Sequence, residues 1–245
     1  MRQAMETDAG RDFRTTAWSQ LVAASNPYAA LRHLAERYWR PIYAFIRVRE
    51  RCPGDDAKDL TQDFFLWVIE SGFLAKLKPG LGRFRAFLKT ALANYLTDRR
   101  RASAAAKRGG LAKHLSLDVI GQSPPAVSDS EQDPEAVLDR QWREAVVARA
   151  ELALDEAFAK DGRADWVRLW RDYDVSPGAS EVDHAGLAER YGITRRDVSY
   201  RLTTVRQKFA EIVVELVSQT VTDPESLDGE LRELFGPSFG KSAAQ

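Results

Sequence analysis

Apolar residues in this 245-residue chain recur at spacings of three and four almost throughout, while alternating or β-branched runs are scarce. Residues three and four apart share one face of a helix, so such a chain buries itself through helical stripes rather than through a sheet. Ser25-Asn26-Pro27 opens a segment with Leu31, Leu34 and Tyr38 on one face, and Pro41 is expected to restart the chain with Ile42, Phe45 and Ile46. Asp55 or Asp56 can cap a further helix whose stripe is Leu60, Phe64, Trp67 and Val68. After a loop marked by Pro79-Gly80 and Gly82, a long helix carries Phe84, Phe87, Leu88, Ala91, Leu92, Tyr95 and Leu96 inward. The expected fold class is all-α.

An apolar fraction of 44% is too high for a disordered chain, and the length suffices for two small cores. No apolar run approaches the roughly 18 residues of a membrane span. The polar stretch 1–11 has no leader-like apolar segment, so a cytoplasmic location is expected. One cysteine, Cys52, and three scattered histidines allow neither an internal disulfide nor a structural zinc site.

The formal net charge is zero, with 36 basic and 36 acidic residues, but the signs are segregated. From Lys76 to Lys113 there are eleven bases against the single acid Asp98. From Asp118 to Asp139 there are six acids and no base. A block of one sign suits a polyanionic partner better than a merely solvated face, which alternates. The acidic stretch, with Ser123-Pro124-Pro125, Ser128, Ser130 and Pro134, has too few apolar residues to offset its ordering entropy. It reads as a flexible linker, 114–135, between a helical domain at 1–113 and another at 136–216. Residues 217–245 form a C-terminal extension whose Leu227, Leu231, Leu234 and Phe235 stripe is expected to pack on, or fold over, the second domain.

From His184 to Leu202 the spacing is that of a helix-turn-helix. Ala188 is small where two helices cross, Gly192 can take a left-handed turn, and Val198 plugs the second helix onto the first. Thr194-Arg195-Arg196-Asp197 is a variant capping box. With Val198, Leu202, Val205, Phe209 and Val213 inward, the outward face presents Arg195, Arg196, Ser199, Tyr200, Thr203 and Arg206. Such a face reads base edges with its N-terminal residues and meets phosphates with later ones.

The basic block offers a second nucleic-acid surface. Lys76 and Lys78 lie in the glycine-containing loop that ends at Arg83, and Asn94, Asp98 and Arg101 share a helical face. Phosphate contacts beside side chains able to read base edges suit an unpaired strand. Opposite the core stripe of DAKDLTQDFFLWVIE, Asp59, Gln62, Asp63, Leu66 and Glu70 form an acidic line that fits a basic protein partner. Catalysis is not expected. Asp55-Asp56-Asp59 is the densest carboxylate group of the first domain, but it has no adjacent base or nucleophile for a nuclease.

Taken together, DAKDLTQDFF, NYLTDRRR and GITRRDVSYRLTTVRQKF resemble the bacterial RNA polymerase sigma factors of the sigma-70 family, in the two-domain extracytoplasmic-function class. The first two are similar to that family's region 2 motifs and the third to its region 4 recognition pattern. The resemblance covers about residues 17–113 and 136–215. It implies that Asp56, Asp59, Gln62 and Asp63 dock on the polymerase β′ clamp helices. Asn94, Asp98 and Arg101, with the Lys76–Arg83 loop, would hold the minus-ten strand. Arg195, Arg196, Ser199, Tyr200 and Arg201 would read the minus-thirty-five element, with Arg206 on phosphate. The implied partners are core RNA polymerase, including the β flap, and promoter DNA, without a cofactor. The acidic linker would thread toward the RNA exit path.

Lys58 stands where the family's acidic motif usually has Glu, which weakens the negative face. Thr61 follows one turn later, and a phosphate there would add about −1.5 to −2 charge and pair with Lys58. Thr61 is therefore the expected site of a kinase-controlled switch, with a Ser/Thr kinase or an anti-sigma factor as the regulatory partner. The competing reading is a helix-turn-helix regulator that is not a polymerase subunit.

Overall fold

The computed structural model describes residues 27–72, 82–105, 124–128, 130–176, 183–237 and 239. Among these residues the chain is all-α. The helices are α1 (Pro27–Glu50), α2 (Gly54–Glu70), α3 (Phe84–Ala105), α4 (Pro134–Lys160), α5 (Ala164–Trp170), α6 (His184–Tyr191), α7 (Arg195–Ser218) and α8 (Pro224–Phe235). A π-helical turn, Arg171–Val175, continues directly from α5. The only extended pairing among the described residues is an isolated antiparallel bridge between Arg83 and Val221.

The chain divides into two compact units. One contains α1, α2, α3, α4 as far as Ala145, and Ser218–Glu230; the other contains Val146–Val217 and the chain from Leu231. The expected boundaries differ in two places. The start of α4 belongs with the first helices because its apolar face completes their core: Trp142, 2% exposed, stacks on Tyr38 at 4.5 Å and lies 5.9 Å from Phe84. The described part of the expected linker, 124–128 and 130–135, is also partly buried there, with Pro125 covered and Val127 packed on Ala44, Val48 and Val137. The linker residues 114–123 and 129 lie outside the described residues.

Of the C-terminal extension, expected on the second domain, Ser218–Glu230 joins the first helices, while the chain from Leu231 falls in the unit of Val146–Val217. Buried Val221 and Leu227 hold the segment there together with specific polar contacts. The Phe84 N–H donates to the Thr220 carbonyl (3.0 Å), the Gly82 N–H to Thr222 Oγ1 (3.2 Å) and the Thr222 N–H back to the Gly82 carbonyl (3.2 Å). Arg85 holds Glu230 in two hydrogen bonds, Nε to Oε1 at 2.8 Å and Nη2 to Oε2 at 2.9 Å.

Pro41 does not restart a helix; it lies inside the unbroken α1. A proline within a helix costs about 3 kcal/mol. Here Leu34, Tyr38 and Trp39 before it and Ile42, Phe45 and Ile46 after it are all buried, and their continuous packing outweighs that cost. In α3 the expected stripe of Phe84, Leu88, Ala91, Leu92, Tyr95 and Leu96 is buried, and Phe87 is half-buried.

Candidate nucleic-acid interface

The helix-turn-helix is assembled by local chemistry. Asp183 caps α6 by accepting the Gly186 N–H (2.8 Å), and Gly192 ends it with φ 63° and ψ 35°. That left-handed backbone lets the Ile193 N–H reach the Ala188 carbonyl (3.0 Å) and turns the chain into α7. Thr194 and Asp197 then form the reciprocal cap. The Thr194 N–H (3.1 Å) and hydroxyl (2.6 Å) donate to Asp197 Oδ2, and the Asp197 N–H donates to Thr194 Oγ1 (3.1 Å). Those donors hold the Asp197 carboxyl below the usual carboxylate range. Leu187, Val198, Leu202 and Val205 are buried in one cluster with Leu154, Phe158 and Trp170, so the outer face of α7 is fixed in register.

That outer face exposes Arg195, Arg196, Ser199, Thr203 and Tyr200, the last at 63%. Neither Arg195 nor Arg196 is held by an ion pair among the described residues, and Ser199 Oγ lies 3.2 Å from His184 Nδ1. Two other arginines depart from expectation. Arg201, expected to read bases, is half-buried: it pairs with Asp165 at 2.5 Å and lies 5.3 Å over the Trp166 ring. Arg206, expected on phosphate, is gripped by both oxygens of Asp174 (2.7 and 2.7 Å) and lies 5.5 Å over Tyr173. The hydrogen bonds to Asp174 raise its pKa. Asp165, Trp166 and Asp174 were not singled out from the sequence. Their signal is the run RADWVRLWRDYD, in which aspartates alternate with arginines and rings.

In the other unit, Asn94, Asp98 and Arg101 lie on the exposed side of α3, as their spacing requires, with Arg101 3.6 Å from Asp98. Lys76 and Lys78 fall outside the described residues. The described members of the basic block are far less free than the sequence suggests. Arg83 is 3.7 Å from Glu230, Arg85 binds Glu230 and Asp139, and Lys89 binds Asp139 at 2.8 Å. Arg99 meets Asp63 at 3.2 Å and Arg100 meets Glu50 at 2.8 Å. Carboxylates distant in sequence neutralise this row, so Arg83 is a buttress of the C-terminal segment rather than a free cation.

On α2, Asp56 and Asp59 are exposed and Gln62 is half-exposed, whereas Asp63 is largely covered and tied to Arg99. The anionic face is thus shorter than expected. Lys58 pairs with Asp55 at 2.9 Å, which shrinks it further, and that bond raises the lysine's pKa.

Thr61 is not on this surface. Its side chain is 0% exposed and its hydroxyl donates to the Ala57 carbonyl at 2.6 Å. A kinase cannot reach that oxygen in this conformation, and Lys58 is turned to Asp55 instead.

Among the described residues no group of three His, Cys, Asp or Glu side chains could hold a metal ion, and no helix is long and apolar enough to cross a membrane. No protein-family model, curated protein or solved structure matches this chain.

Proposed function

We propose that the chain is a sigma-type transcription initiation factor, which binds core RNA polymerase and brings it to promoter DNA. The observation that carries this reading is the capped N-terminus of α7, where Arg195, Arg196 and, just over a turn further on, Tyr200 project outward after the turn at Gly192. A helix presented in this way offers cationic and ring side chains to a major groove, with forked arginine donors suited to guanine. The unit that holds α2 and α3 supports the reading through two features at once. Asn94, Asp98 and Arg101 form an exposed polar line on α3, and Asp56 and Asp59 form a short anionic line on α2 for a basic protein surface. Phosphorylation of Thr61 would require its turn of α2 to open, and the reading does not depend on it.

The rival reading, a helix-turn-helix regulator that acts without joining the polymerase, draws on the neutralisation of Asp63 by Arg99 and of Asp55 by Lys58. Co-purification separates the two. The full chain retains core RNA polymerase under this proposal, and Asp56→Lys with Asp59→Lys abolishes retention while leaving the helical signal intact. Duplex DNA binding without any retention of polymerase favours the regulator.

A further inference from the structure

Three aspartates in one short stretch each hold an arginine of the helix-turn-helix: Asp165 with Arg201, Asp172 with Arg190 (3.1 Å) and Asp174 with Arg206. Two of the three lie in the π-helical turn Arg171–Val175, where the Ser176 N–H reaches back to the Arg171 carbonyl (2.8 Å). Such widened turns are rare and occur often at functional sites. This one is anchored on α4 through Arg171, whose guanidinium binds both oxygens of Asp155 (3.0 and 2.7 Å). The carboxylates are therefore presented by a fixed support. Asp172 also accepts the Tyr191 hydroxyl (2.9 Å), whose pKa rises to about 12, first through burial and then through this bond.

The grip on Arg206 uses two parallel N–H···O bonds, the same fork geometry with which arginine binds a phosphate. Arg201 is held by a carboxylate on one atom and by a ring beneath its plane; Trp166 also carries Arg163 at 5.1 Å and the edge of Tyr200 at 5.7 Å. Of the four α7 residues expected to be cationic contacts, Arg195 and Arg196 are thus presented free of ion pairs among the described residues, and Arg201 and Arg206 are presented already neutralised.

We infer that Asp165 and Asp174 are positioning residues that stand in for DNA phosphates. They hold Arg201 and Arg206 in place in the free protein and must be displaced by the duplex, so they set how weakly this surface binds DNA. This rests on the nucleic-acid reading of α7. Exchanging one anionic partner for another gains little Coulomb energy, so each held arginine adds little to affinity until its carboxylate is removed. Free cations instead release counterions from DNA, and each phosphate neutralised steepens the dependence of log affinity on log salt by about 0.9.

The test is fluorescence anisotropy of a labelled duplex of arbitrary sequence, titrated with the full chain over a series of salt concentrations. The proteins are wild type, Asp165→Asn with Asp174→Asn, and Asp161→Asn, which removes an exposed carboxylate outside the cluster. The inference expects the double variant to bind at least about five-fold more tightly than wild type at low salt, with a slope steeper by about 2. Asp161→Asn should leave the slope unchanged. A merely structural role for the aspartates predicts equal or weaker binding, since loosened arginines on a destabilised unit bind no better, and weaker binding also overturns the inference. Equal slopes and affinities for the wild type and a double variant of unchanged helicity overturn the inference. An Arg195→Ala, Arg196→Ala protein identifies which idea failed. If it loses binding while the aspartate variants stay like wild type, only the inference falls; if no protein binds duplex at all, the reading of α7 falls with it.

Discussion

Arg85 and Glu230, 145 positions apart in sequence, face each other in a doubly hydrogen-bonded ion pair with 3% and 1% of their side chains exposed. Replacing Glu230 by Ala strips a buried guanidinium of its doubly hydrogen-bonded partner and leaves Asp139 beside it. Losing one partner of a buried pair costs about 3–5 kcal/mol, and the remaining carboxylate keeps this case near the lower figure. Replacing both residues together, Arg85→Met with Glu230→Leu, removes the charge as well as the partner. Chemical denaturation should show the double variant to be more stable than Glu230→Ala alone.

Asp223 fastens the same segment at the start of α8. Its carboxylate accepts the Ser226 N–H (2.8 Å) and hydroxyl (2.8 Å) and the Thr222 hydroxyl (3.1 Å), and the backbone donor at Ser226 leads in lowering its pKa. A depressed carboxyl pKa stabilises the fold above the unfolded value of about 3.9, and that contribution is lost as pH falls through the folded value. Asp223→Ala should therefore cost about 1 kcal/mol at neutral pH. The gap between the two unfolding curves should narrow as the pH is lowered below about 4.

How much of this was legible in the sequence depends on the range of each interaction. The turn at Gly192 and the Thr194–Asp197 cap rest on contacts within five residues, and their spacing alone predicts them. The charge row of α3 was misleading for the opposite reason. Arg85, Lys89, Arg99 and Arg100 find their acids at separations of 36 to 145 positions, so a net charge counted along the chain says nothing of what faces them. Pro41 illustrates a local rule overridden by packing, because the apolar residues on either side of it join one core. The polar line of Asn94, Asp98 and Arg101 was legible, since helical spacing alone brings residues four and three apart to one side.

Thr61 gives a sharp contrast between two substitutions. Thr61→Val keeps the shape and loses one hydrogen bond to Ala57, so it should cost no more than about 1.5 kcal/mol. Thr61→Asp forces a carboxylate into a fully buried position and should destabilise by more than about 3 kcal/mol. Thermal unfolding of both proteins measures this. An acidic variant as stable as wild type would mean that Thr61 reaches the surface, where a kinase can act on it.

At Gly192 there is open space where a Cβ would stand, so only the backbone opposes a side chain. With φ at 63°, Gly192→Ala should cost about 1–2 kcal/mol without rearranging the core. Denaturation should show that loss, and a circular dichroism spectrum like wild type should accompany it.

The central claim is that this chain directs RNA polymerase to promoters, and transcription from sheared genomic DNA by purified core RNA polymerase, with 5′ ends mapped, tests it most directly. The account predicts that adding the full chain produces discrete starts preceded by two shared sequence elements, and that Arg195→Ala with Arg196→Ala removes them. Transcripts whose starts are the same with and without the protein would contradict it.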